Sequence, residues 1–480
     1  MLKKFFLMLM AALFAMSFVS CETDGDDPGD TYTEFLLQTD WSGGDGQETA
    51  ADSTMFLQSS GIDHTTVPGQ LTLTGDYYAS NDACSFNGKL YVSVTGYGTF
   101  EYDPGTDKWE ISIAGHYWRY SHVYDGKLYT LYSGVNIYTY DGTDTDYGLG
   151  PNGWAEFSND GLPAYGETDP WLNIFDFTVF NNELYACGGL WDGTSEQSAG
   201  GQVYKYNGTA WEQVGTNREQ SSNAIAVYNN ELYWGTHWSG DLFKYDNTSS
   251  DWLYTGKSFG MSVTDLVVAN DKLYIGSWNT SYETGALDEF DGTNWTKRYT
   301  GEGVTELAAH DTTIYWGTNP GGKIFSLSNT DVPWVVNVYD LDISAVSGLV
   351  SLGGDLYNGG TIQSNDTDLR DNFIYKNGVK EAKLQCCYLI SSGYSSPEID
   401  VWVNLVWNSS EPEGTGIEFW VEGKEPGEEW GAAFGDQWSK VGFDKPLGID
   451  GSDMRYKVYL WSITEDVTPT LYDVSFKVKD

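Results

Sequence analysis

The sequence predicts an all-β chain assembled from repeated four-stranded units, and three observations carry that prediction. The 480 residues include 20 Trp, 34 Tyr and 21 Phe alongside 56 Gly, a composition that suits many short strands joined by tight turns. A Leu-Tyr or Ile-Tyr pair recurs seven times, at Leu90-Tyr91, Leu128-Tyr129, Leu184-Tyr185, Leu232-Tyr233, Leu273-Tyr274, Ile314-Tyr315 and Leu356-Tyr357, with spacings of 38, 56, 48, 41, 41 and 42 residues. After most pairs comes a short strand ending in an aromatic and an acid or amide, then a turn, then Trp, as in Leu242-Phe243-Lys244-Tyr245-Asp246 with Trp252.

Lys3 and Lys4 precede an apolar run of 14 residues, 5–18, which is short for a bilayer span and matches the core of an export signal. The run ends in Phe18-Val19-Ser20-Cys21. This resembles the bacterial lipobox, which implies cleavage and lipidation at Cys21; Phe18 departs from the usual Leu. Residues 1–21 are therefore expected to be a lipoprotein signal peptide. Residues 22–30 hold five acids in nine positions with Gly and Pro between them, a solvated tether. An acidic stretch after the lipid-bearing Cys also resembles the surface-export signal of lipoproteins in some Gram-negative bacteria, which implies the outer membrane and cell surface. Contact with the membrane is expected through the lipid alone.

Residues 31–75 form an N-terminal segment containing a strand near 70–74. It either completes a C-terminal sandwich or closes the last repeat.

Residues 76–385 carry the repeat. Asn87-Gly88, Asp125-Gly126, Asn181-Asn182, Asn229-Asn230 and Asn270-Asp271 suit hairpins that need positive φ. The fifth unit illustrates the count of four strands, at 263–269, 272–277, 286–290 and 295–299. Four strands in about 40–50 residues is the pattern of a β-propeller blade, so a seven-bladed propeller is predicted. No blade buries both faces alone; packing in a ring does so, with Trp and Tyr filling the interfaces. Cys187-Gly188-Gly189 and Gly359-Gly360 resemble the double glycine of kelch-type propellers. Elsewhere the match degrades, as at Trp234-Gly235-Thr236. An eight-bladed ring or a WD40-type propeller is the structural alternative.

Residues 386–480 change pattern. Strict alternation at Ile399, Val401, Val403, Leu405 and Trp407, at Ile417, Phe419 and Val421, at Tyr456, Val458 and Leu460, and from Tyr472 to Val478 predicts half-buried strands of a β-sandwich. Gly414 to Phe419 and Thr468 to Val474 resemble a jelly-roll module of bacterial secreted proteins. The opposite parity places Trp402, Trp420, Tyr459 and Trp461 on one sheet face. That face either docks on the propeller or stacks sugar rings.

Charge narrows function. Asp and Glu number 69 against 25 Lys and Arg, a net −44, which repels phosphate backbones and excludes nucleic acid as a partner. Cys84, Cys187, Cys386 and Cys387 are too few for a disulfide framework. The loops between second and third strands, and those entering each blade, share one propeller face. On it fall Trp118, Arg119, Tyr120, Trp171, Trp191, His237, Trp238, Trp278 and Tyr282, residue types that ordinary loops avoid. These are the candidate ligand-binding residues for a glycan or a surface protein; the competing use is sealing of blade interfaces.

Enzymatic readings are weaker. A kelch propeller beside a sandwich is similar in layout to copper radical oxidases, but His116, His122, His237 and His310 fall in different repeats without metal-ligand spacing. No metal or cofactor is expected. Sialidase-like chemistry needs an arginine cluster, and the chain holds five Arg in all. Asp169, Asp176, Asp265 and Glu306 lie near first-strand starts, where they cap turns at the axis. Asp265 and Glu306 are the candidate catalytic pair for polysaccharide hydrolysis. Three readings follow: a surface binding lipoprotein, a polysaccharide-degrading enzyme, and an assembly scaffold at the outer membrane. The sequence leaves the oligomeric state open.

Overall fold

The computed structural model describes residues 32–38, 62–63 and 71–73, most of 80–425 and most of 439–479; stretches such as 95–97, 115–117, 144–153, 164–170, 192–199, 329–334, 362–371 and 429–438 lie outside the described residues. The expected signal peptide, Cys21 and the tether also lie outside them.

The chain is all-β. Among the described residues, seven four-stranded antiparallel sheets follow one another, each made from strands consecutive in sequence. Their first strands are Ser80–Phe86, Tyr120–Tyr124, Trp171–Phe180, Ser222–Tyr228, Ser262–Ala269, Gly303–His310 and Ala345–Leu352. Each first strand packs beside the next, and the last returns to the first, so the sheets stand radially around an axis. The fifth sheet, Ser262–Ala269, Lys272–Trp278, Gly285–Phe290 and Trp295–Gly301, lies within two residues of the bounds read from the sequence.

The repeat motif explains these elements. Asn87, Asp125, Asn181, Asn182, Asn229, Asn230, Asn270 and Asp271 all have φ between 48° and 63°, as the two-residue hairpins demand. The Leu or Ile of the pair is buried in every sheet. The Trp opening the fourth strand reaches back to the preceding sheet: Trp211 Nε1 donates to the Ser158 carbonyl at 3.0 Å, and Trp252 Nε1 to the Val214 carbonyl at 2.8 Å. Gly235 marks a close approach of the next sheet. A Cβ there would run into the Val263 side chain of the fifth sheet's first strand. Gly235→Ala is therefore expected to destabilise the chain by about 1–3 kcal/mol through overpacking, and Val263→Ala in the same chain to recover part of the loss. Additive losses in a urea double-mutant cycle would contradict that contact.

Two further sheets flank the ring. In one, the C-terminal strand Thr470–Lys479 pairs with Val401–Ser410, and also with Tyr32–Gln38 and Leu71–Leu73 from the N-terminal segment. The other orders as Gln385–Ile390, Asp453–Ser462, Thr415–Lys424, Ser439–Val441. Trp402, Leu405, Leu471 and Val474 from the first sheet and Phe419, Val421, Tyr456 and Val458 from the second form one apolar core. The N-terminal strands thus complete this C-terminal unit, and the ring is inserted between its parts.

Candidate ligand-binding site

Among the described residues, the sequence-predicted aromatics separate into packing residues and a group around the exposed Trp238. Trp118 is only 2% exposed. It packs with Tyr91, Tyr140 and Trp154 between the first and second sheets. Its N–H donates to Ser93 Oγ at 2.7 Å, and its carbonyl accepts from that hydroxyl at 2.6 Å. Tyr120 is half-buried and meets Phe175 edge-on across the second and third sheets, ring centroids 5.9 Å apart. Trp171 and Trp191 are paired in register at the rim of the third sheet, and nothing is described of their side chains. Arg119 and Tyr282 lie outside the described residues.

His237, Trp238 and Trp278 are brought together. His237 follows the second strand of the fourth sheet, Glu231–Thr236, and Trp278 ends the second strand of the fifth, Lys272–Trp278. The His237 ring lies 4.5 Å from Trp238 and 6.4 Å from Trp278, centroid to centroid. Trp238 is 40% exposed and sits at φ 70°. For a bulky residue that left-handed conformation costs roughly 1–2 kcal/mol. The loop enforces it: Thr236 Oγ1 is 2.7 Å from Ser239 Oγ and accepts the Asp241 N–H at 2.9 Å. Trp278 is half-buried.

Two residues not singled out in the sequence complete this site. Asn223 is the residue that a β-bulge lifts out of the ladder between Ser222 and Ala224, and a bulge re-aims a side chain. Its Nδ2 lies 3.1 Å from Ser262 Oγ and 3.2 Å from His237 Nδ1; Ser262 Oγ lies 2.7 Å from the same nitrogen. Ser262 is buried and His237 half-buried. Burial lowers the pKa of His237 below its usual value, so the ring is neutral at pH 7.

The axis holds a second constellation. A carboxylate follows the bulge in the first strands of the first, third, fifth and sixth sheets: Asp82, Asp176, Asp265 and Glu306. Each of the three aspartates accepts the N–H of its following residue at 2.7–2.8 Å. Their second oxygens reach the next sheet. Asp176 accepts the Ile225 N–H at 2.9 Å, Asp265 the Leu307 N–H at 2.8 Å and Asp82 the Ser121 hydroxyl at 2.7 Å. First strands are edge strands facing the axis, and these carboxylates satisfy donors that the ladder leaves free. Burial, then mutual repulsion, pushes Asp82 up to about 7 and holds Asp176 and Glu306 well above the usual range; burial pushes Asp265 up to about 6. Asp265 thus has both oxygens hydrogen-bonded to backbone N–H groups. Asp82 was not singled out, yet a signal existed. All four acids stand eight residues before the Leu or Ile of their repeat.

The remaining candidates lie on the C-terminal unit. Trp420, Tyr459 and Trp461 pack against Val92, Phe100 and Trp109 of the first sheet and Tyr357 and Ile374 of the seventh. This is the docked arrangement, and it covers the seam where the ring closes. Trp402 is not with them: it faces the core between the two C-terminal sheets. The register shift between Trp402 and Asn404 inverts the strand's parity there, so the strict alternation expected from 399 to 407 does not hold. Among the described residues no group of three or more His, Cys, Asp or Glu is placed to hold a metal ion.

No family model matches the chain, and no curated protein matches it. Solved structures resemble it at low identity. RRP9 WD40 repeats align at TM-score 0.43 and 9% identity, covering 61% of this chain and 90% of that one. The β-propeller domain of Myceliophteria thermophila Cps50 (Swd1) aligns at 0.40 and 10%, covering 61% and 96%. YCF48, solved with a D1 peptide, aligns at 0.41 and 10%, covering 64% and 99%.

Proposed function

We propose that the chain is an exported, lipid-anchored surface protein that binds a carbohydrate or protein partner at the His237–Trp238–Trp278 face. In this reading the repeated sheets are the blades of a complete seven-bladed, kelch-like β-propeller, and the C-terminal unit is a jelly-roll sandwich that clasps its seam. Residues 1–30 support export and the anchor at Cys21.

One observation carries the binding site. Trp238 is held exposed in a backbone conformation unfavourable for its side chain. Folding gains nothing from either property, and strain retained at an exposed residue points to use. Asn223, Ser262 and the Thr236–Ser239–Asp241 hydrogen bonds fix the surroundings, and a rigid aromatic with fixed polar neighbours is what a recognition surface requires.

The test is capture on a glycan array and by cross-linking on cells, with wild type and Trp238→Gly in parallel. A ligand held by wild type and lost by the variant is the expected result. Equal capture by both would remove the site.

A further inference from the structure

We infer that the His237 site recognises a neutral, hydroxyl-bearing ring, a saccharide, through an imidazole fixed as an Nε2–H donor beside Trp238 and Trp278. The inference rests on the reading of this face as the ligand site and names its ligand class.

An amide Nδ2 carries only donors, so Asn223 donates to His237 Nδ1, 3.2 Å away, and to Ser262 Oγ, 3.1 Å away. The Ser262 hydroxyl has two acceptors in reach, Nδ1 at 2.7 Å and the Val263 carbonyl at 3.3 Å, and with an Asn223 N–H already aimed at an unprotonated Nδ1 its proton goes to the nearer nitrogen, the two donors sharing one lone pair. Nδ1 therefore carries no proton, and a neutral imidazole must carry its proton on Nε2. A proton added at Nδ1 would face the Asn223 N–H. Among the described residues the hydrogen bonds of the His237 ring all fall on Nδ1, which leaves the Nε2 donor to a ligand.

The surroundings select the ligand. Trp238 is exposed and 4.5 Å from the imidazole, centroid to centroid, and Trp278 is 6.4 Å from it. Indole faces take C–H-lined rings, and Nε2–H takes a hydroxyl or ether oxygen. A cation would meet the positive end of the N–H dipole. An anion would approach a chain of net charge −44 with no charge on the imidazole to offset it. A saccharide ring satisfies both groups without either conflict.

The test uses the full chain labelled with ¹⁵N at its five histidines and long-range ¹H–¹⁵N correlation spectra. His237→Gln assigns the signal. Neutral gluco-, manno- and xylo-oligosaccharides are titrated in, with oligogalacturonides and choline as charged comparisons. The Nε2–H tautomer at pH 7.5 is expected, with its Nε2 signal shifted by at least one neutral oligosaccharide. Ser262→Ala is expected to mix the tautomers and weaken that binding several-fold. An Nδ1–H tautomer, or no response to any neutral sugar, would overturn the inference. So would Trp238-dependent binding confined to charged ligands or to a protein, which leaves the binding face standing. Saccharide binding indifferent to Trp238→Gly would overturn the face itself.

Discussion

Asp265→Ala is expected to lower the free energy of unfolding by about 2–5 kcal/mol, since each orphaned buried donor costs roughly 1–3 kcal/mol. The donors are the N–H groups of Leu266 and Leu307, which both bond its carboxylate. Glu306→Gln is expected to act oppositely. Glu306 stands one sheet further round the same axis and feels the charges of Asp265, Asp82 and Asp176, and its carboxyl is held well above the usual range by burial and those charges. Replacing the carboxyl by an amide, which has no ionised form to disfavour in the folded chain, is expected to stabilise the ring at pH 8 by roughly 1–2 kcal/mol, an ordinary size for relieving one such site.

The pH dependence has a definite sign. Asp82 and Asp265 titrate in the folded chain at about 7 and about 6, against a reference value of 3.8. Between those limits the folded state binds more protons than the unfolded state, so stability falls as pH rises. The contribution is complete below about pH 4 and is lost by about pH 7. Wild type is therefore expected to be more stable at pH 5 than at pH 8 in urea unfolding. Glu306→Gln should flatten that difference and have little effect near pH 4. A Glu306→Gln variant less stable than wild type at pH 8 would show that the axial charges do not repel.

The second large effect is expected at the seam. Tyr459 is 1% exposed and, with Trp420, fills the contact between the C-terminal unit and the first and seventh sheets. Tyr459→Ala is expected to cost about 3–5 kcal/mol, as for other large aromatic deletions. The ring closes without strand exchange, since each of its sheets is built from consecutive strands. Loosening the clasp should thus expose the first and seventh sheets ahead of the third to fifth. Hydrogen exchange by mass spectrometry checks this: raised exchange confined to peptides around residues 80–114 and 345–383 supports the clasp, and uniformly raised exchange opposes it.

Much of this was legible in the sequence because it is local. The Leu-Tyr pairs and Asn/Gly turns mark hairpins, and hairpin geometry is decided by a few adjacent residues. The fourth-strand Trp residues and the two-residue period of Phe419 and Val421 are equally local signals. What escaped is set by register. One bulge moves Trp402 to the core and another turns Asn223 toward His237, and bulges leave no compositional mark. Of the loop-face aromatics, Trp238 and Trp278 meet at the His237 ring. Trp118 is indistinguishable from them in the sequence, because its burial depends on Tyr91 in the first sheet and on Tyr140 and Trp154 in the second. The axial acids stand on four different sheets, and only their common offset from the repeat pair signals that they meet.

The central claim is that Trp238 is kept for binding at some expense to folding. Equilibrium urea unfolding of Trp238→Gly, run beside ligand capture by the same preparation, tests it most directly. Stability equal to wild type or higher by about 1 kcal/mol, from relief of the left-handed backbone, with capture reduced at least about tenfold, is the predicted result. A loss of about 2 kcal/mol or more with capture intact would make Trp238 a packing residue and contradict the account.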